Sequence, residues 1–139
     1  MRRRSPCDEY LGDMPLFEGL SAKKLRIASR LSTPLALRAG TPLTHEGTTG
    51  REFFMVFDGE VEVIRADQLV ATRGPGSHLG EIALLERRPR TATLVAKTPL
   101  LVAVTSRSEF ASLLQLVPEI SVRLDASTTR RLAELVAST

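Results

Sequence analysis

Between Pro34 and Val104, glycine or proline recurs every few residues: Pro34, Gly40, Pro42, Gly47, Gly50, Gly59, Gly74, Pro75, Gly76, Gly80 and Pro99. That punctuation leaves no room for a long helix, because proline removes a backbone donor and both residues favour turns. The short runs between the breaks are rich in β-branched and aromatic residues. Phe53–Phe57 is apolar at every position, which predicts an inner strand covered on both faces. Asp58-Gly59 is a tight-turn signal, and Glu60-Val61-Glu62-Val63 then alternates as a half-buried strand does. Leu94–Ala96 and Leu100–Val104 are further strands, split by Thr98-Pro99. Several short strands with turns between them predict a sandwich or barrel of the jelly-roll kind.

Helical patterning lies on either side. Ser21 reads as an N-cap with Leu20 and Leu25 as its hydrophobic staple, and Leu25, Ala28 and Leu31 form an apolar stripe, so a helix is predicted over about 21–31. After the β region, Ser106-Arg107-Ser108-Glu109 fits a capping box, followed by Phe110, Leu113, Leu114 and Val117 at helical spacing. Pro118 then opens a second helix, with Leu124, Thr128, Leu132, Leu135 and Val136 along one side. Residues 1–15 read as a mobile arm, with a short helical lead-in near Tyr10–Leu11. The predicted fold is mainly β with flanking helices: a double-stranded β-helix, or jelly-roll-like β-roll, with an N-terminal helix and two C-terminal helices. The division is 1–15 as arm and 16–139 as one domain.

Composition narrows the function. At 139 residues, 42% apolar and 25% charged, the chain is long enough to bury a core without disulfide or metal support. Aromatics are 4% and Trp is absent, which disfavours a stacking surface for single-stranded nucleic acid. The single cysteine, Cys7, excludes an internal disulfide, and as part of a mobile arm it would be open to oxidation. His45 and His78 read as loop histidines and are too few for a His-rich metal cluster, so no metal site is expected. The net charge of +3 is modest and spread along the chain, which fits a solvated surface better than a nucleic-acid interface. No apolar run approaches the ~20 residues of a membrane span. No secretory signal follows Arg2-Arg3-Arg4, so the expected compartment is the cytoplasm.

The chemistry concentrates in Gly80-Glu81-Ile82-Ala83-Leu84-Leu85-Glu86-Arg87-Arg88-Pro89-Arg90-Thr91-Ala92-Thr93. A short helical turn after Gly80 would present unpaired N–H groups to an anion. Arg90 supplies a planar fork of donors that matches phosphate oxygens. Ionised Glu81 only accepts hydrogen bonds, so it suits a sugar hydroxyl rather than a phosphate. Together they point to a ligand carrying both groups.

This segment resembles the phosphate-binding cassette of the cyclic nucleotide-binding domain family, found in kinase regulatory subunits, cyclic-nucleotide-gated channels and catabolite-activator-type regulators. The family pattern of Gly-Glu-apolar-Ala-Leu, a spacer, then Pro-Arg-small-Ala-Thr/Ser is matched by Gly80–Leu84 and Pro89–Thr93. Gly40, Gly47 and Asp58-Gly59-Glu60-Val61 match upstream, and the likeness runs from about Leu16 to Leu135. Leu79 stands where the family often has phenylalanine. The resemblance implies a ligand site at Gly80, Glu81, Ile82, Ala83, Arg90 and Thr91. Glu81 would take the ribose 2′-hydroxyl and Arg90 the exocyclic phosphate oxygens. The N–H groups of Ala83 and Thr91 would complete the cradle. Thr91 does not settle the base, and cAMP is expected ahead of cGMP. The last helix would close as a lid, with Thr128, Arg131, Leu132 and Leu135 as candidates for base contact.

The expected function is therefore a non-enzymatic sensor that signals through its C-terminal helices. It needs no cofactor beyond the cAMP or cGMP ligand. Its output would be an unknown downstream protein partner, and exposed lid leucines could pair two copies as a homodimer or cover the pocket instead. No helix-turn-helix follows the lid, so no DNA-binding domain is expected in this chain. The competing readings are an interaction module on the same fold that has lost nucleotide binding, and a cupin-type enzyme. Intact Glu81 and Arg90 oppose the first, and the missing His cluster opposes the second.

Overall fold

The computed structural model describes residues 5–81, 84 and 89–126. The chain begins with a short helix α1 (Pro6–Tyr10), two 3-10 turns (Leu11–Asp13 and Pro15–Phe17) and helix α2 (Ala22–Arg30). Among the described residues eight strands follow: β1 (Thr33–Leu37), β2 (Pro42–Thr44), β3 (Glu52–Asp58), β4 (Val61–Arg65), β5 (Gln68–Arg73), β6 (His78–Leu79), β7 (Thr93–Ala96) and β8 (Leu100–Ser106). Helix α3 (Arg107–Leu116) comes next, and α4 is helical over residues 118–126. The strands form two antiparallel four-stranded sheets, in the orders β1-β8-β3-β6 and β2-β7-β4-β5. The mainly β roll with helices at both ends is thus the fold that the turn spacing predicts.

Strand β3 explains the layering. It lies between β8 and β6, and Phe53 through Phe57 are all buried. Alternate side chains point to opposite faces of a strand. Phe54 and Val56 enter a core with Val61, Leu79, Leu94, Ala96, Leu100 and Val102, between the sheets. Phe53, Met55 and Phe57 face the other way, into a second core covered by helices. The β3–β4 turn needs Gly59 at φ 92°, because a Cβ there would run into the Pro99 carbonyl.

The helix ends follow their caps. The Ser21 hydroxyl accepts from the Lys24 N–H at 3.3 Å, and the staple residues Leu20 and Leu25 pack on the helical core. At α3 the Ser106 hydroxyl accepts from the Glu109 N–H at 3.2 Å, and the Glu109 carboxylate accepts from the Ser106 N–H at 3.0 Å. Phe110, Leu113 and Val117 are buried as expected, and α4 adds Ile120 and Leu124.

The mobile-arm expectation is corrected from residue 5 onward. Cys7, Leu11 and Met14 are all buried in the helical core. Asp8 caps α1 and ties it to α2: its carboxylate accepts from the Ser5 N–H at 2.9 Å and from the Ser29 hydroxyl at 2.7 Å. Cys7 is fully buried rather than open to oxidation, and burial pushes its thiol pKa up. His78 is corrected too, since it is a buried residue of β6 rather than a loop residue. Strand β5 also enters without a glycine signal, through a turn in which Ala66 and Asp67 adopt φ 51° and 61°.

Candidate functional site

Pairing of β3 with β6 sets Leu79 opposite Phe54, so the chain leaves β6 at Gly80 beside the start of β3. Gly80 has φ 95°, and a Cβ on it would stand 2.6 Å from Arg90 Nη1 and 2.9 Å from the Glu52 carbonyl oxygen. Only glycine fits both the backbone conformation and this close approach. The buried arginine is what fills the space.

Arg90 is 6% exposed. Its Nη1 donates to the Gly80 carbonyl at 3.1 Å, and its Nη2 donates to the Glu52 carbonyl at 2.6 Å. The guanidinium carbon lies 5.9 Å from the Phe54 ring centroid, within cation–π range. Its backbone is fixed as well: the Arg90 N–H donates to the Thr48 carbonyl at 2.8 Å, and the Arg90 carbonyl accepts from the Gly47 N–H at 2.9 Å. Among the described residues no carboxylate forms an ion pair with it. Burial pulls its pKa below the ordinary arginine value, Glu52 and Glu81 pull it back up, and the Arg107 charge pushes it down again. It remains cationic, as arginines in proteins do.

Glu81 is fully buried and helical, immediately after Gly80. Thr91 is half-buried beside Arg90, and Ala92 is buried, its carbonyl accepting from the Thr44 hydroxyl at 3.0 Å. The structure therefore brings Gly80, Glu81, Arg90 and Thr91 to one end of the inner core. Ile82 and Ala83 lie outside the described residues, as do the lid candidates Thr128, Arg131, Leu132 and Leu135. Two participants were not anticipated. Glu52 contributes a backbone carbonyl, for which its side chain gives no sign. Phe54 contributes a ring face, and period-two alternation along β3 places it on the same side as Glu52. Among the described residues no cluster of His, Cys, Asp or Glu could hold a metal ion, and no helix is long and apolar enough to cross a membrane.

A buried cation hydrogen-bonded to neutral carbonyls, next to a glycine pinch and a buried carboxylate, is chemically suited to an anion that also carries a hydroxyl. The family model for the cyclic nucleotide-binding domain matches residues 34–116, more than half of the chain and the whole of this site. The chain belongs to the cyclic nucleotide-binding domain family. It is 36% identical over 115 residues to a cAMP-dependent protein kinase regulatory subunit from Yarrowia lipolytica, covering 81% of this chain and 31% of that protein. A subunit of the same name from Pyricularia oryzae is 36% identical over 132 residues, covering 91% and 34%. This domain thus spans about a third of the length of these curated relatives. Among solved structures, the Thermus thermophilus Catabolite Activator Protein superposes with a TM-score of 0.80 at 27% identity, covering 89% of this chain and 61% of that one. A cyclic nucleotide-binding-like protein from Brucella abortus superposes at 0.65 with 30% identity, covering 80% and 99%.

Proposed function

We propose that this domain is a non-enzymatic cAMP sensor. The observation that carries the proposal is Arg90: a buried guanidinium whose described hydrogen bonds go only to the Gly80 and Glu52 carbonyls. A buried guanidinium hydrogen-bonded only to neutral carbonyls makes no charged contact of its own, and the oxygens of a cyclic phosphate would give it one. In this reading Arg90 takes the exocyclic oxygens and Glu81 the ribose 2′-hydroxyl. Gly80 gives the close approach, and the backbone at Ile82, Ala83 and Thr91 completes the cradle. The names of the fungal relatives, both cAMP-dependent kinase regulatory subunits, favour cAMP over cGMP and a protein kinase as the downstream partner. The signal would pass through the C-terminal helices, the ligand favouring one of their positions over another. The domain would work in the cytoplasm and would need no cofactor.

The test is isothermal titration of nucleotide-stripped protein with cAMP and then cGMP. Arg90→Ala should weaken binding by about 2–5 kcal/mol, the range for removing one partner of a buried charged contact. Glu81→Gln should cost less, and 2′-deoxy-cAMP should lose more affinity for the wild type than for that variant, which keeps a neutral acceptor in place of the carboxylate. Binding unchanged in Arg90→Ala would remove Arg90 from the site. No heat from folded, stripped wild type would leave the interaction-module reading in its place.

A further inference from the structure

Arg107 is the first residue of α3 and is exposed, yet its Nη2 donates to the carbonyl of buried Gly50 at 2.6 Å. Gly50 sits in the middle of a segment, residues 47–52, that grips Arg90 at three points: Gly47 and Thr48 bond its backbone, and Glu52 accepts from its guanidinium. Glu52 is also the residue directly opposite Ser106, the α3 N-cap, in the β3–β8 register. One bracket of chain therefore carries the arginine on one side and the helix N-terminus on the other. Gly47 and Thr48 are exposed, with a local turn to the His45 carbonyl, so little apolar burial holds the outer end of the bracket.

We infer that Arg107 is a positioning residue for Arg90: by clamping Gly50, it sets where the 47–52 bracket presents the guanidinium and ties that position to α3. The consequence for ligand affinity rests on the proposed cAMP reading. The bracket itself does not.

Amide hydrogen exchange tests the bracket without nucleotide. In Arg107→Met, the Gly47 and Arg90 amides should exchange faster. The Val56 amide, bonded to the Ser77 carbonyl, and the Lys97 amide, bonded to the Glu60 carbonyl, should keep their wild-type rates. Unchanged exchange at Gly47 and Arg90, or an equal rise at all four amides, overturns the inference. Titration then tests the consequence. Arg107→Met should weaken cAMP binding roughly 2- to 12-fold, the worth of one ordinary hydrogen bond, at low and high salt alike. Arg107→Lys, which keeps a donor and the charge, should recover most of it. A loss that disappears at high salt would make Arg107 a source of field rather than position and overturns the inference. So does local loosening with unchanged affinity. If wild type binds no cAMP, the proposed function falls and the exchange result alone decides the bracket.

Discussion

The core between the sheets and the core beneath the helices share strand β3 but differ in what completes them. The inner core draws its buried residues from one stretch of sequence, Phe54 to Val102, and every one of them lies in a strand: Phe54, Val56, Val61, Leu79, Leu94, Ala96, Leu100 and Val102. The helical core gathers Cys7, Leu11 and Phe17 from one end of the chain and Val117, Ile120 and Leu124 from the other. Its rim is polar: Lys24 pairs with Glu119, and Arg123 donates to the Leu16 carbonyl at 2.8 Å. The inner core supports Arg90 directly, through the Phe54 ring. The helical core instead binds the two ends of the chain to each other. Under the proposed function, the first is the frame of the site and the second is where a ligand-dependent shift could be read out.

Two adjacent phenylalanines separate these roles. Phe53→Ala and Phe54→Ala should each destabilise the fold by about 3–5 kcal/mol, as truncation of a buried aromatic does. Phe53 packs in the helical core, its ring centroid 4.9 Å from that of Phe110. Its loss should leave cAMP affinity near wild type in protein that is still folded. Phe54→Ala should weaken binding as well, because the guanidinium loses the ring beneath it. Denaturant unfolding and titration under native conditions measure the two effects. Equal loss of affinity in both variants would erase the distinction between the cores.

Leu11→Ala probes the part of the helical core that sequence reading missed. Leu11 is 1% exposed, so the expected cost is about 2–5 kcal/mol, the same as for any buried leucine. Cys7 should resist alkylation in the native state and react once the protein unfolds, since burial both covers the thiol and raises its pKa. Rapid native-state labelling would restore the mobile arm. The signal for this segment was present but short. Cys7, Leu11 and Met14 fall at helical spacing, and Pro6 follows Ser5 with Asp8 three residues after it. Five helical residues followed by 3-10 turns are too few to show a periodicity against the charged residues around them. Four strands were legible, β3, β4, β7 and β8, because their apolar or alternating runs are bounded by turns, whereas β1, β2, β5 and β6 were not, being short or largely exposed. Within the site, Gly80, Glu81 and Arg90 were legible because their side chains, or the lack of one, carry the chemistry. Glu52 and the 47–50 loop were not, because they act through backbone carbonyls and amides that every residue possesses.

The smallest effect should come from the polar rim. The hydrogen bond from Lys24 holds the Glu119 carboxyl below its ordinary pKa. A carboxyl depressed in the folded state stabilises the fold fully above its unfolded pKa, and that contribution is lost as pH falls through the folded value. Both side chains are 37% exposed, so solvent and salt screen the pair and its contribution should be slight. In urea unfolding across the acid range, the difference between wild type and Lys24→Met should therefore be small at neutral pH. It should shrink to nothing below the folded pKa of Glu119, and shrink also in high salt. Other carboxylates titrate in the same range, which is why the difference between the two proteins is the quantity to follow. A difference that persists at low pH would mean that Lys24 acts through its stem packing and not through its charge. Either way α4 would be held chiefly by Ile120 and Leu124, both fully buried. The helical core then depends on apolar contact for its strength, and the screened ion pair at its rim adds little to it.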